Sequence, residues 1–532
     1  MLRVVSRLIP GPISRRGAAD EMNPLKRMQG KRNDWRSKAT KRATVSREMR
    51  KKLKRADEKL KRADAELAAM RAELHNARQA AEAASRAVIA AGDDEAAKPP
   101  GAAPLDQDQT RVTCVFISIN AIISFRAVPR ALMASILMLG VPLCWIPSFT
   151  SVINWTLRVG LALLNGVGIL PDEPWVAVMD ISIDVGIKKV LVVLRVPWSA
   201  LAARGTALAL ADAKCIGIKV SENWKGRTVA DALKGIFATS GMPTAILKDQ
   251  GGDIGLGVRL WQCENNGESV AVIGDIGHAC ANALKAVFGK LEYFKQLLAI
   301  VRKGAAKIRQ SDIAFLMPPK LRTKGRFMAI SRTAEWAEKI LELLTGTPTA
   351  GNAALIEKLR RFLPGFENFR ALITNFAQSS LLVRDVLELL KNKGLSAETY
   401  RIAKKRLEEL PSHCRVRTRL IEWLDQHMVI LLKLGCEVLP VSSDLLESLF
   451  GKFKGIVARN PKAEFNRNVL AIPCLCGNLS ASTIDEALSA VSHSDLEQWE
   501  REHVIETLHR KRREAFRGLP SRRIGPVPRK VA

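Results

Sequence analysis

The sequence predicts a mixed α/β core that carries a large α-helical insertion and is preceded by a helix-turn-helix and an N-terminal coiled coil. Short runs rich in β-branched residues occur between residues 172 and 282, separated by turns and helical segments. Residues 283–440 follow a helical pattern almost throughout, and leucines recur every seven residues near the N-terminus. A chain of 532 residues, 47% of them apolar, is long enough for several domains with a buried core.

The chain is strongly basic, and its charge is concentrated at the two ends. It contains 83 lysine and arginine residues against 53 aspartate and glutamate residues, a net charge of +30. Residues 1–62 contain 21 basic and 6 acidic residues, and residues 501–532 contain 10 and 3. Such ends neutralise phosphates without reading sequence, so we expect a nucleic acid as partner. The alternative is a solvated or anionic-lipid-binding tail.

Residues 45–91 show a heptad pattern. Leucines occupy every seventh position, and alanine and methionine fill the intervening seam. The leucines are Leu53, Leu60, Leu67 and Leu74. This pattern predicts a coiled coil that assembles the chain into a homodimer or a higher homo-oligomer. Residues 92–111, rich in glycine, proline and aspartate, are predicted to form a linker.

An uncharged stretch at residues 131–155 is compatible by hydropathy with a membrane span. Glycine and proline interrupt it, so we predict a helix-turn-helix within residues 112–168 instead, and no membrane. The second helix begins with small polar residues that are able to contact bases in a major groove. They are Ser148, Thr150, Ser151 and Asn154. A plain helical hairpin in the protein core is the alternative.

The predicted core begins with a β-hairpin. WVAVMDISID at residues 175–184 and VLVVLRVPW at residues 190–198 are β-rich runs joined by a short turn. A strand, a helix and two further strands follow: KCIGIKVS (214–221), residues 225–240, TAILKD (244–249) and AVIGDIGH (271–278), the last of which runs into a helix. After the insertion, VSSDLLESLFGKFKG at residues 441–455 is predicted to be a helix capped by Ser442 or Ser443, with Glu447 in its first turns.

Acidic residues stand on two predicted strands and on this last helix. Asp180 lies in the first strand, and Asp249 ends a later strand, followed by Gly251 and Gly252, which let a nucleic-acid backbone approach closely. Clustered carboxylates need cations to neutralise them, and two Mg²⁺ or Mn²⁺ ions about 4 Å apart suit phosphodiester chemistry. We therefore expect these two aspartates and Glu447 to bind two such ions.

The segments VMDISID, PTAILKDQGGD and SSDLLESLFGKFK resemble the three acidic motifs of DDE transposases, which share the ribonuclease H-like fold with retroviral integrases. The resemblance covers about residues 110–480. It implies that Asp180, Asp249 and Glu447 are the catalytic, metal-binding acids. It also implies an enzyme that hydrolyses double-stranded DNA at the ends of a mobile element and transfers the strand to target DNA.

The spacing of the three acids is similar to that of the hAT-like and Mutator-like groups, in which a helical domain precedes the glutamate. The two gaps are 69 and 198 residues long. Asp275 and His278 resemble an acid-x-x-histidine pair of those groups and are candidate auxiliary residues, with helix capping as the alternative for His278. Lys452 and Lys454 are candidates for neutralising phosphate, and a solvated helix face is their alternative.

Other assignments remain open. Three nearby acids are alternatives for the first, second and third acidic role, in that order: Asp184, Asp253 and Asp444. Trp336, in the insertion, is a candidate for stacking on an unpaired base, with core packing as the alternative. The alternative functions are a noncatalytic, transposase-derived DNA-binding protein and a membrane-associated coiled-coil protein.

Nine scattered cysteines without a signal peptide ahead of them predict reduced thiols in a cytoplasmic, nucleoid-associated bacterial protein. An arginine-rich opening typical of a transit peptide is the alternative. The predicted organisation is a basic arm (1–44), the coiled coil (45–91), the linker (92–111), the helix-turn-helix (112–168), the first part of the core (172–282), the helical insertion (283–440), the last part of the core (441–500) and a basic tail (501–532).

Overall fold

The computed structural model describes part of the chain, and this part lies in one compact unit, Ala102–Ala532. The described residues are 105–139, 143, 145–169, 173–182, 188–204, 208–320, 327, 330–349, 351–457, 464–504 and 507–517. The predicted basic arm, the coiled coil, Asp184 and the end of the basic tail lie outside them.

Three helices open the described part: α1 (Gln107–Asn120), α2 (Val128–Leu139) and α3 (Phe149–Asn165). Asp106 caps α1, because its carboxylate accepts a 2.7 Å hydrogen bond from the Gln109 amide. No helix among the described residues combines the length and the apolar character needed to cross a membrane.

Helix α3 is packed inside the protein along most of its length. Its buried residues face two short 3₁₀ helices, Arg467–Ala471 and Pro473–Leu475. A Cβ at Gly160 would lie 1.6 Å from the main-chain oxygen of Leu470, so only glycine permits this close approach. Ser148 caps the helix by accepting a hydrogen bond from the Ser151 amide.

One five-stranded sheet forms the centre of the core. Its strands are β1 (Trp175–Ser182), β2 (Lys189–Pro197), β3 (Lys214–Ser221), β4 (Ala245–Lys248) and β5 (Ala271–Gly274). The strand order is β3-β2-β1-β4-β5, and only β2 runs antiparallel to its neighbours. Strand β2 is buried on both faces, which explains its continuous apolar sequence.

Helices cover both faces of the sheet. Three helices connect strands, α4 (Trp198–Arg204), α5 (Gly226–Ser240) and α6 (Gly252–Glu264), and a fourth, α7 (Ile276–Phe288), follows the last strand. On one face, Phe237 of α5 and Trp261 of α6 pack edge to face, with ring centres 4.8 Å apart. The other face packs against α7 and the helices that come later in the chain.

The insertion consists of helices α8 (Glu292–Arg309), α9 (Ser331–Thr345), α10 (Ala353–Phe362), α11 (Arg370–Lys393), α12 (Ala397–Leu407) and α13 (Arg415–Leu434). Helices α8, α9 and α10 enclose a hydrophobic cluster of their own. Helices α11 and α13 pack against α7, and α13 also contacts β5. The insertion is therefore partly separate and partly continuous with the core.

A buried histidine joins α13 to the sheet. His427 Nε2 accepts a 2.9 Å hydrogen bond from the Gly274 amide at the end of β5, and Nδ1 donates to the Trp423 carbonyl. Burial lowers the pKa of His427 to about 4, so the imidazole is neutral at physiological pH. The last helices are α14 (Asp444–Val457), α15 (Ala481–Ala490), α16 (His493–His503) and α17 (Leu508–Ala515).

Candidate active site

Three aspartates lie at the same level on three adjacent parallel strands, one within β1 and the other two directly after β4 and β5. Met179 of β1 pairs with Lys248 of β4, and Lys248 pairs with Gly274 of β5. The next residue on each strand is an aspartate: Asp180, Asp249 and Asp275. Neighbouring strands lie about 4.8 Å apart. The register thus gathers the two acids predicted for the site and one predicted auxiliary acid into a single row.

Asp180 is partly buried, and its ionised form is disfavoured. Burial, and next the negative charge of Asp249, raise the pKa of Asp180 to about 6. A hydrogen bond from the Ile181 amide and the nearby His278 act in the opposite direction but do not restore the usual value. Two carboxylates that repel each other in this way form a site that a cation would stabilise.

Each of the two carboxylates has one oxygen that accepts no hydrogen bond from the residues that the structure describes. Oδ1 of Asp180 accepts from the Ile181 amide at 2.6 Å, and Oδ1 of Asp249 accepts from the Gly251 amide at 3.0 Å. Within the described part of the chain, no hydrogen bond reaches Oδ2 of either residue. These two oxygens therefore remain able to bind a ligand.

Glycine at position 251 leaves room for the Asp249 carboxylate. A Cβ there would lie 3.0 Å from Oδ1 and 3.2 Å from Oδ2 of Asp249. A Cβ at Gly252 would meet nothing within 4 Å. The first glycine of the predicted pair thus clears space for the acid, in addition to the predicted approach of nucleic acid. Asp253, the alternative second acid, is exposed on the first turn of α6.

Asp275, by contrast, is fully engaged by the protein. The residue is 2% exposed, and Oδ1 accepts from the amide and from Nδ1 of His278 at 2.7 and 3.0 Å. Oδ2 accepts from the amide and the hydroxyl of Ser443 at 2.7 and 2.8 Å. Burial alone would raise the pKa of Asp275, but these hydrogen bonds outweigh it and the pKa is lowered.

His278 belongs to the same cluster. Asp275 caps α7 by accepting from the His278 amide, so the acid-x-x-histidine pair forms a helix cap here. The hydrogen bond to Asp275 is the main cause that raises the pKa of His278, and the charges of Asp249 and Asp180 contribute further. The capping alternative thus describes the local geometry, and a role at the scissile phosphate stays a prediction.

Glu447 occupies an exposed position in the first turn of α14, a helix that packs against β1. Asp444, its alternative, forms a 2.6 Å ion pair with Lys391 of α11. Lys454 lies seven residues after Glu447, so the two residues are on the same face of α14, about 10.5 Å apart along the helix. Lys452 instead lies near Cys476, where its positive charge acts to lower the pKa of the thiol. Of the two lysines, Lys454 is therefore the better candidate for neutralising a phosphate beside Glu447.

The donor set fits a divalent cation held by two carboxylates. Asp180 and Asp249 offer hard oxygen ligands of the kind that Mg²⁺ and Mn²⁺ prefer. Among the described residues, no group of three or more histidine, cysteine, aspartate or glutamate side chains is arranged to hold a metal ion. Glu447 is thus not brought into a common ligand set with the two aspartates.

The residues predicted to read DNA lie at the start of α3. Ser148, Thr150 and Ser151 form a hydrogen-bonded cluster that caps the helix, and Asn154 is half-buried. The burial of α3 favours the core-hairpin alternative, and base contacts by these residues stay a prediction. Trp336 donates to the Leu316 carbonyl at 2.9 Å and packs against a phenylalanine, as its core alternative predicts.

Sequence reasoning missed two parts of the site. It assigned Ser443 to capping α14, whereas the Ser443 hydroxyl donates to Asp275, 168 residues earlier. It also gave no role to His427, which fixes the end of β5 from 153 residues away. The only sequence signal for the contact between His427 and β5 is a histidine four residues after a tryptophan on an apolar helix face. The contact between Ser443 and Asp275 has no sequence signal.

Comparisons with known proteins identify no family. No family model matches the chain. No curated protein matches it either. Among solved structures, the chain is similar to one described as the Drosophila P element transposase strand transfer complex, with 11% sequence identity and a TM-score of 0.35. The alignment covers 75% of this chain and 98% of that chain. Similarity at this level establishes neither a common fold nor a common activity.

Proposed function

We propose that the protein is a DDE-type transposase, in which a ribonuclease H-like core cleaves DNA strands and transfers them with the help of two metal ions. The observation that carries this proposal is the pair Asp180 and Asp249, at the same level on parallel strands β1 and β4, each with an oxygen free of donors among the described residues. The order β3-β2-β1-β4-β5 with β2 antiparallel is the arrangement expected of the ribonuclease H-like fold.

The side chains of the site have separate tasks in this proposal. Asp180 and Asp249 bind the cations, and Glu447 is the third acid, carried by α14 against β1. When bound, two Mg²⁺ or Mn²⁺ ions neutralise the scissile phosphate and activate the attacking water or 3′ hydroxyl. Gly251 keeps the Asp249 carboxylate in place, and Lys454 contacts a phosphate on the Glu447 side of the site.

DNA binding has two components in the proposal. The basic ends of the chain bind phosphates, and α17 contributes exposed arginines near the C-terminus: Arg510, Arg512 and Arg513. Polar residues at the start of α3 contact the element ends. Residues 45–91 pair two or more copies of the chain so that two ends are held together, in the cytoplasm and on the bacterial nucleoid.

The test is strand nicking of DNA that carries the sequences flanking the gene, with Mg²⁺ or Mn²⁺. Asp180→Asn and Asp249→Asn should each lose at least about a hundredfold in rate while DNA binding persists. Asp253→Asn is the matched control, because Asp253 is an exposed aspartate four residues from Asp249. Full activity in either site variant would overturn the assignment.

A noncatalytic DNA-binding protein is the second candidate. It is favoured by the absence, among the described residues, of a third ligand next to Asp180 and Asp249. In this case the wild type binds DNA with a steep dependence on salt but nicks none with any divalent cation. Nicking that depends on Asp180 excludes it.

A further inference from the structure

Asp275 ties the end of β5 to the beginning of α14. Its Oδ2 atom receives both hydrogen-bond donors of Ser443, the residue directly before the helix, at 2.7 and 2.8 Å. The main chain adds a parallel contact, because the Ile276 amide donates to the Val441 carbonyl at 2.8 Å. The two segments are separated by more than 160 residues of sequence, so this junction is made by the fold alone.

The same hydrogen bonds exclude Asp275 from metal binding. An ionised carboxylate has about four acceptor positions. In Asp275 these are used by two donors from His278 and two from Ser443. Although Asp275 stands in one row with Asp180 and Asp249, it has no acceptor position left for a cation.

We infer that Asp275 is a positioning residue, which clamps the first turn of α14 and thereby fixes Glu447 relative to the strand ends. Glu447 follows Ser443 by four residues, about one helical turn. A shift of Ser443 therefore moves Glu447 with it. The catalytic consequence of this clamp rests on the proposed function, whereas the clamp itself does not.

Asparagine at position 275 separates the clamp from the helix cap. Asparagine caps helices as well as aspartate does, so α7 keeps its cap in Asp275→Asn. If its Oδ1 faces the His278 amide, its Nδ2 faces Ser443 with a donor where an acceptor is needed, and the Ser443 amide loses its partner. The exposed ion pair between Lys391 and Asp444 remains, but such pairs contribute little.

Hydrogen exchange of the full-length chain tests the clamp. In Asp275→Asn, amides 443–448 should exchange about tenfold faster or more, since a buried amide has lost its acceptor. Ser443→Ala, a milder variant that loses the hydroxyl but keeps the hydrogen bond from the main-chain amide of residue 443 to Asp275, should show a smaller increase in exchange rate. Asp106→Asn is the matched control, because Asp106 caps α1 with the same chemistry and should leave α14 unchanged. Unchanged exchange at α14 in both site variants would overturn the inference.

The metal requirement for nicking tests its consequence. Misplacing Glu447 should raise the Mg²⁺ concentration for half-maximal nicking about tenfold or more in Asp275→Asn, a quantity that loss of folded protein does not change. Faster exchange with an unaltered metal requirement would overturn the link to catalysis. A wild type that nicks no DNA overturns the proposed function instead, and the exchange data still decide whether Asp275 is the clamp.

Discussion

Replacing Asp180 by asparagine should stabilise the metal-free protein at neutral pH, although it removes a proposed metal ligand. Burial and the charge of Asp249 raise the pKa of Asp180 from 3.8 to about 6. A shift of about 2 pKa units means that ionised Asp180 costs the folded state about 3 kcal/mol at neutral pH. Asparagine has the same shape, carries no charge and still accepts the hydrogen bond from the Ile181 amide.

The sign follows from the direction of the shift. Because the folded-state pKa of Asp180 lies above the unfolded value, its contribution to stability is complete below about pH 4 and is lost as the pH rises through about 6. Urea unfolding in EDTA measures the difference in free energy of unfolding between Asp180→Asn and the wild type. This difference should grow from near zero at about pH 4 to about 3 kcal/mol at about pH 7. Asp253→Asn, an exposed control, should show no such growth.

Mg²⁺ should then reverse the order of stability. At a concentration of about 1,000 times its dissociation constant, a bound cation adds about 4.1 kcal/mol to the wild type and much less to Asp180→Asn, which exceeds the advantage of about 3 kcal/mol that the variant has without metal. A difference in stability that does not vary with pH would refute the burial and repulsion of Asp180. A difference that varies with pH but ignores Mg²⁺ and Mn²⁺ would show a buried acid without a metal site.

Three further changes probe the site and its supports. Gly251→Ala should displace the Asp249 carboxylate and lower the nicking rate about tenfold or more, whereas Gly252→Ala, with open space around its Cβ, should not. Neutral His427 should contribute about 3 kcal/mol of stability that is lost as the pH falls from about 6.5 through about 4, and glutamine has no such dependence, so the difference in free energy of unfolding between the wild type and His427→Gln should change by that amount over this pH range. Gly160→Ala should destabilise the protein by about 3 kcal/mol or more in urea unfolding, because its Cβ meets a main-chain oxygen at 1.6 Å, whereas Gly235→Ala, on the solvent-facing side of α5, should stabilise it by about 0.5–1 kcal/mol. Equal effects of Gly251→Ala and Gly252→Ala, or of Gly160→Ala and Gly235→Ala, would contradict the packing described at these glycines. Acid unfolding of His427→Gln that matches the wild type would contradict the burial of His427.

The histidine and aspartate titrations overlap with opposite signs. As the pH falls below about 6.5, protonation of His427 destabilises the folded state, whereas protonation of Asp180 below about 6 stabilises it. The two contributions nearly cancel in the wild type, so its stability should vary little over this range through these groups. Only the difference between each variant and the wild type isolates one group.

Local sequence pattern was enough to predict the strands and the position of two site acids. The alternation and β-branching of WVAVMDIS predict β1 with Asp180 inside it, and Asp249 follows the short apolar run of β4, so the strand that carries each acid is predicted without knowledge of the fold. Their common level depends on strand register, which pairs Met179 with Lys248 and which no local pattern encodes.

Contacts between distant segments were beyond the reach of the sequence. A serine before a helix is most simply a cap, and only the tertiary fold, which places the start of α14 beside the end of β5, brings Ser443 to Asp275. Likewise, the apolar stretch around α3 fits a DNA-reading helix or a core helix equally well, once its glycine and prolines have argued against a membrane span. The 3₁₀ segments that bury it, Arg467–Ala471 and Pro473–Leu475, come 300 residues later.

The hydrogen bond between His427 and Gly274 lies at an edge of the sheet, and it helps to cover that edge. Strand β5 is the last in the order, so its outer backbone groups would be free to recruit a strand from another molecule. Helix α13 packs against this edge strand, and the His427 imidazole accepts a hydrogen bond from the Gly274 amide at the end of β5. A truncated chain that joins residue 290, after α7, directly to residue 441 would lose this cover. Excision of the helical insertion should therefore yield an aggregating fragment rather than a minimal domain.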